Sequence, residues 1–474
     1  MKRSTQKVLN RSREVLLSIP EGPGPGRHRL ALSIAEAIRI GRLHAGTRLP
    51  ASRDLARQLG VSRGLVTDAY GQLAAQGFLL IEPRRAPLVA AGAPAPPDDR
   101  IRSPQAVRPR YDFTPTSPDA SLFPRRRWRR AIDDALKTTT DAELDYGDPF
   151  GAAVLREQLA ERLGRVRGAV TTPHRIVVVQ GFSQGLDVLC AVLGAAGRRR
   201  LAVEDPALDD AIGTARLAGM EIRPVPVDAE GIDVTALAAV GADAVLVTPA
   251  HQFPTGVVMS SERRRELLGW AEQTGALVIE DDYDAEFRHA GAPLGTLQGL
   301  APDRVAYVGT ASKVLVPALR LGWLALPPEL VAAAADAKWW RDSGSPILDQ
   351  VALAAILADG SYDRAQRRAL RAYRARRDAL IGALADRIPS ARISGTAAGL
   401  HVVAEIPGAD EAAVVAAAAR RRIAIRGIGT YAIAEPRRPR PAATLVLGYG
   451  RLSADAIPTA VDGLARAVAE TCGA

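Results

Sequence analysis

The chain is 474 residues long, 47% apolar and 24% charged, which suits one small and one large globular domain with a substantial core. Its two cysteines, Cys190 and Cys472, are too few and too far apart for a disulfide framework or a cysteine-rich metal site, so a reducing cytoplasm is expected. No run of 18 or more apolar residues occurs and the first residues are polar and basic, so neither a helical membrane span nor a secretory leader is expected.

Charge is distributed unevenly. Residues 1–92 hold 15 Lys and Arg against 6 Asp and Glu, out of a net charge of +10, and the rest is almost neutral. A small basic module on a large neutral one fits a polyanion binder, nucleic acid above all, although a solvated basic surface would look the same. Leu30, Ile34 and Ile38 fall on one face of a predicted helix. Gly41 and Gly46 interrupt the chain. Ser52 is placed to cap a helix over 53–59 that Gly60 closes. Ser62 is placed to cap another over 63–76, with Leu65, Ala69 and Leu73 inward and Gly77 at its end. Two short strands, 78–81 and 88–90, flank Pro83-Arg84-Arg85. Two short helices about a tight glycine turn, followed by a hairpin, describe a winged helix-turn-helix. Ser62, Arg63 and Gly64, which open the last helix, would then face base edges or phosphates.

The stretch Gly46-Thr-Arg-Leu-Pro-Ala-Ser-Arg-Asp-Leu-Ala-Arg-Gln-Leu-Gly-Val-Ser-Arg-Gly-Leu-Val-Thr-Asp-Ala-Tyr resembles the GntR-type winged-helix domain, over residues 15–91. The resemblance implies double-stranded operator DNA as partner, contacted by Arg53, Ser62, Arg63, Gly64 and Thr67, with Tyr70 at a phosphate. Two departures stand out. Gly64 offers no side chain, and the wing carries Pro83-Arg84-Arg85 in place of a Gly-x-Gly tip. Residues 92–110 are Pro-rich and read as a semi-rigid linker, ~60 Å when extended.

From Tyr111 to the end, 111–474, the pattern is α/β. Apolar runs begin at Ile176, Leu201, Ala244, Ala276 and Val305, each ends in small or polar residues, and helical patterns such as 183–193 and 262–274 lie between them. Buried parallel strands with crossover helices look like this, and their ligands sit beyond the carboxyl ends. Gly181-Phe182-Ser183-Gln184-Gly185 follows the first run and can cradle a phosphate at a helix start; an ordinary N-cap would also explain it. The acidic stretch 280–286 fits a divalent metal or a solvated face. Its Asp281 and Tyr283, however, share one side of an extended chain. They suit a pyridine nitrogen and the adjoining ring oxygen. Lys313 follows the last run. A sheltered lysine amine there can condense with an aldehyde. Thr310, Ser312 and Arg320 would suit a phosphate. A phosphate, a pyridine and an aldehyde together describe pyridoxal 5'-phosphate (PLP), and this set explains more than a metal would.

This region resembles the PLP-dependent fold-type I aminotransferases, and more closely the aminotransferase-like domain of MocR-type regulators. The matching stretches are Leu122-Phe-Pro-Arg-Arg-Arg-Trp, Tyr146-Gly-Asp-Pro-Phe-Gly, Thr248-Pro-Ala-His-Gln-Phe-Pro-Thr-Gly, Ile279-Glu-Asp-Asp-Tyr-Asp-Ala-Glu-Phe and the lysine stretch. The resemblance implies PLP as a Schiff base on Lys313, Asp281 at the pyridine nitrogen, Tyr283 at the ring oxygen and Arg320 at the phosphate, with His251 and Gln252 near the cofactor. It also implies a homodimer with shared sites. Leu208, Asp210 and Val446 stand where such regulators carry ligand-stacking or carboxylate-binding residues, which leaves Arg426 or Arg451 as substitutes. The expected function is a DNA-binding transcriptional regulator whose effector is PLP or a PLP-amine adduct, controlling vitamin B6 or amine and amino-acid genes. The alternative is an active aminotransferase with an appended DNA-binding domain.

Overall fold

The structure of the chain, a computed structural model, describes residues 25–91, 108–289, 294–395, 397–434 and 442–472. Backbone contacts divide it into two units, Met1–Val107 and Arg108–Ala474. Residues 15–24 of the expected first domain, and 92–107 of the expected linker, lie outside the described residues.

In the first unit, α1 (Gly26–Arg39) buries Leu30, Ile34 and Ile38 at the expected helical spacing, with Ala31, Ala35 and Ala37 beside them. The next helix, α2 (Ser52–Leu59), ends at Gly60, whose φ of 65° only glycine adopts without strain. Ser52 is not its cap. The Ala51 carbonyl already accepts from the Asp54 and Leu55 N–H groups (2.9 and 3.0 Å), so the helix starts one residue early and Ser52 lies inside it. Ser62 does cap α3 (Arg63–Ala75), its Oγ accepting from the Leu65 N–H at 3.3 Å. The buried face of α3 is Val66, Ala69, Tyr70 and Leu73, while Leu65 sits half-buried at the margin. Strands β1 (Leu79–Leu80) and β2 (Leu88–Val89) pair antiparallel as the wing.

The second unit is built on one sheet of eight strands. Their order is Ile176–Val179, Gly322–Ala325, Val305–Thr310, Leu277–Asp281, Ala244–Val247, Arg200–Asp205, Glu221–Asp228 and Gly231–Ile232. Neighbours from Val305–Thr310 to Glu221–Asp228 are parallel, and Gly322–Ala325 runs against both of its neighbours. Alternate residues feed two apolar layers. Leu201, Val203, Leu246, Ile279 and Val308 pack with Leu186 and Leu189 of the helix Phe182–Ala195. Ala202, Val245, Val247 and Val278 pack with Leu267 and Trp270 of the helix Ser261–Thr274. Burial on both faces is why these strands read as continuous apolar runs.

Three strands of this sheet, Glu221–Asp228, Gly231–Ile232 and Gly322–Ala325, escaped the sequence pattern. Glu221–Asp228 contains Pro224 and Pro226, which interrupt any apolar run. Among the described residues it pairs over 221–226 with Arg200–Asp205, and its other side meets just the two-residue Gly231–Ile232, so missing N–H donors are tolerated. Gly322–Ala325 hides within the stretch that follows Arg320. A second, four-stranded antiparallel sheet (Arg392–Ser394, His401–Pro407, Ala442–Gly448, Arg426–Gly427) packs with helices that include Ser361–Arg387 and Ile457–Cys472. Among the described residues, no helix is long and apolar enough to cross a membrane.

Candidate cofactor cleft and DNA-facing surface

The carboxyl ends of the parallel strands open on a cleft of about 300 Å³. Lys313, three residues beyond the strand Val305–Thr310, stands on its wall and donates from Nζ to the Thr116 carbonyl at 2.7 Å. Loss of water around the amine pushes it below the usual lysine range; Asp284, Asp281 and Asp210 push the other way. Asp281 ends its strand, buried, on the same wall. Burial, then the neighbouring Asp282 carboxylate, hold Asp281 well above the usual carboxylate range, and Lys313 opposes them. Tyr283, two residues on, also faces the cleft. Its hydroxyl lies 3.2 Å from His251 Nδ1, and that nitrogen is 3.0 Å from Asp284 Oδ2.

At another part of the wall, Gly181 (φ 83°) turns the chain into the helix Phe182–Ala195, whose first residues Phe182 and Ser183 line the cleft. A Cβ at position 181 would stand 3.2 Å from the Arg320 guanidinium, so glycine is what lets the arginine lie against the helix start. Arg320 has a left-handed backbone (φ 50°) and, among the described residues, no carboxylate within ion-pair distance. Thr310 and Ser312 hydroxyls, 2.9 Å apart, join the lining. A free guanidinium, hydroxyls and unsatisfied helix N–H groups fit a phosphate. A buried carboxyl and a lysine of lowered basicity fit the pyridine and the aldehyde. The residues present therefore suit PLP.

Several expected residues do not themselves line the cleft. Gln184 turns away from the cleft: its Oε1 accepts from the Gln180 N–H at 2.7 Å, and its Nε2 donates to Asp342 Oδ2 at 2.8 Å. His251 stands behind Tyr283, buried, with its ring centroid 4.9 Å from that of His401. Gln252 donates to the Phe253 and Pro206 carbonyls (2.7 and 2.9 Å) and to Glu204 Oε2 (3.3 Å), and accepts from Thr255 Oγ1 (2.6 Å), behind the cleft wall. Arg451 is tied to Asp112 by an ion pair, and Arg426 is exposed on its strand opposite Val446, so neither lines the cleft. Leu208 and Asp210 do line it, and Val446 is buried in an apolar cluster with Phe253 and Tyr431 against which Leu208 packs.

The sequence reading missed Phe182 and Glu204. Phe182 carries a signal, an aromatic ring immediately after the glycine of the turn. Glu204 carries none, because its place depends on Thr248, 44 residues away, whose N–H and Oγ1 donate to Glu204 Oε2 at 3.1 and 2.7 Å. Burial raises the Glu204 carboxyl to about 7. The folded state therefore holds this proton above the usual glutamate range. The associated stability is complete below about pH 4.5 and falls as pH rises towards about 7, by roughly 3 kcal/mol at most. Glu204→Gln is expected to flatten that slope in urea titrations run across this window. An unchanged slope would place the carboxyl in water.

On the first unit, Ser62, Arg63, Gly64 and Thr67 are exposed around the start of α3, and Arg53 is exposed in the first turn of α2. A Cβ on Gly64 would meet nothing within 4 Å, so the backbone is bare there. Tyr70 is the exception to the expected surface. It is buried at 3% exposure, and its hydroxyl donates to the Pro50 carbonyl at 2.9 Å, which removes it as a phosphate contact and makes it a brace between α3 and the turn before α2.

A winged helix in one chain with a sheet of this order and a lysine beyond its strand ends defines the class: a DNA-binding module joined to an aminotransferase-type domain. Residues 27–89 match the model of bacterial regulatory proteins of the gntR family, and residues 117–444 match that of aminotransferase class I and II. The uncharacterised HTH-type transcriptional regulator YhdI of Bacillus subtilis is 32% identical over 90% of this chain and 92% of its own. The pyridoxine biosynthesis transcriptional regulator PdxR of Corynebacterium glutamicum is 33% identical over 81% and 84%. Among solved structures, the α-aminoadipate aminotransferase LysN of Thermus thermophilus, complexed with N-(5'-phosphopyridoxyl)-L-leucine, superposes with a TM-score of 0.67 at 27% identity, over 76% of this chain and 92% of its own. The chain belongs to the MocR-type GntR transcriptional regulators, with a GntR winged helix before a fold-type I aminotransferase domain.

Proposed function

We propose that the chain regulates transcription as a homodimer that binds operator DNA through its winged helices and PLP through the cleft, with PLP or PLP together with an amine as the effector. The observation that carries this reading is the joint presence, in one cleft, of Lys313, Asp281, Tyr283 and an ion-pair-free Arg320 against Gly181. PLP, when bound, supplies an electrophilic carbon to an amine and a pyridine that draws electrons from it. The chain does the rest. Arg320, Ser183 and the helix start would hold the phosphate. Asp281, at a buried strand end, would serve the pyridine nitrogen. Tyr283, braced through His251 and Asp284, would serve the ring oxygen. Phe182 would give the ring an apolar wall. Lys313, kept from water, is held below the usual lysine range, which favours the amine form that would bond a carbonyl carbon. Asp210 and Val446, in place of carboxylate-binding residues, disfavour turnover of ordinary amino acids, and the relative named for pyridoxine biosynthesis favours genes of vitamin B6 supply.

Regulation requires that the bound cofactor favour one arrangement of the chain over another. Duplexes selected from a random pool by the full-length protein provide the test. Their affinity for the protein is expected to change on adding PLP, and Lys313→Ala is expected to bind the same duplexes without that response. Identical binding by both proteins, with and without PLP, would contradict the proposal.

A further inference from the structure

The groups of the cleft that the cofactor leaves unassigned are acidic, apolar or hydroxyl-bearing, and none of them is cationic. Lys313 and Arg320 are the lysine and arginine of its lining, and the reading above gives one to an aldehyde and the other to a phosphate. Asp281 is given to the pyridine nitrogen. Glu204 and Asp210 remain. Glu204 is 3% exposed, and while its Oε2 is held by Thr248 and Gln252, its Oε1 is buried without a hydrogen-bond partner on the wall of the cleft. A buried polar atom that lacks a partner is costly, so a hydrogen-bonding group on the ligand would relieve it. Asp210 lies in the first turn of the helix Asp209–Leu217, exposed on the same wall, and its carboxylate is near enough to Lys313 to favour that residue's protonated form. Between them the wall is hydrocarbon: Ala207, Leu208 and Phe253 line it, with Tyr431 and Val446 packed in the same cluster.

A ligand carboxylate placed here would meet the Asp210 carboxylate and an apolar wall, and among the described lining residues no further guanidinium receives it. A cationic nitrogen on a hydrocarbon stem would meet complementary groups throughout. We propose that the amine this cleft reads beside PLP carries no carboxylate and bears a second, protonated nitrogen: its stem lies along Leu208 and Phe253, Asp210 holds the far nitrogen, and Glu204 Oε1 shares a hydrogen bond with the bound molecule. The inference rests on the cofactor reading above and names the ligand class of that same site.

The test uses full-length, PLP-free protein and isothermal titration with PLP and with the reduced phosphopyridoxyl derivatives of putrescine, butylamine and γ-aminobutyrate. The putrescine derivative is expected to bind roughly tenfold more tightly than the butylamine derivative, and the aminobutyrate derivative more weakly than either. Asp210→Asn is expected to bring the putrescine and butylamine derivatives within about threefold of each other, and high salt to narrow the preference in the wild type. Equal affinities for the three derivatives, or tightest binding of the aminobutyrate one, would overturn the amine inference and leave the cofactor reading standing. If neither PLP nor any derivative binds, the cofactor reading itself falls, and the inference with it.

Discussion

Arg167→Ala is expected to lower the unfolding free energy by about 3–5 kcal/mol, the usual cost of stranding one partner of a buried ion pair. Arg167 and Asp282 face each other at 5% and 2% side-chain exposure. Nε and one terminal nitrogen of Arg167 donate to the two Asp282 oxygens at 2.8 and 3.0 Å, and the other terminal nitrogen donates to the Leu294 carbonyl at 2.7 Å. Tyr307 adds a hydroxyl donor to Asp282 at 2.6 Å. Alanine would leave Asp282 charged, buried and held only by a phenol. The damage would reach the cleft, because Asp282 already pushes Asp281 towards its protonated form. Urea titration checks the loss, read at an unchanged slope of free energy against denaturant. Arg167→Lys should fall between wild type and alanine, since an ammonium cannot make the two-pronged contact. A loss under about 1 kcal/mol would mean that water reaches the pair.

Arg63→Ala is expected to weaken binding to a selected operator by about 1–3 kcal/mol, or roughly ten- to a hundredfold, and to relax the preference at one base pair. Arg63 is exposed in the first turn of α3, at the end that a helix-turn-helix reader presents to the major groove. Arg53 sits at the start of α2, where a phosphate contact is the natural role. Arg53→Ala should therefore weaken all duplexes alike and reduce the salt dependence by about one unit of slope. Binding isotherms on matched and single-mismatch duplexes at several salt concentrations separate the two. Equal losses on all sequences for Arg63→Ala would move that residue from the bases to the backbone.

The parts legible in the sequence were those fixed by local chemistry. A strand buried on both faces must be apolar throughout, so Ile176–Val179, Ala244–Val247 and Leu277–Asp281 stood out, and the residues after them were already assigned to one crevice. Lys313, Asp281 and Tyr283 could be singled out because each follows such a strand closely. What local chemistry does not encode is direction at the end of a flexible side chain. Gln184 is one residue beyond Ser183, yet it reaches back to Gln180 and across to Asp342. Tyr70 belongs to the inner face of α3 because the buried stripe is centred nearer Val66 than Leu65, an offset of one residue that reverses its role. Glu204 and its partner Thr248 meet only because their strands are neighbours in the sheet, which the order of strands along the chain does not reveal.

The most direct test of the central claim is a visible absorption spectrum of the purified protein titrated with PLP, wild type beside Lys313→Ala. The account predicts a band in the wild type distinct from that of free PLP, persisting through gel filtration, and its absence in the variant. No band in the wild type, or the same band in both proteins, would contradict the assignment of Lys313 and, with it, the reading of the cleft.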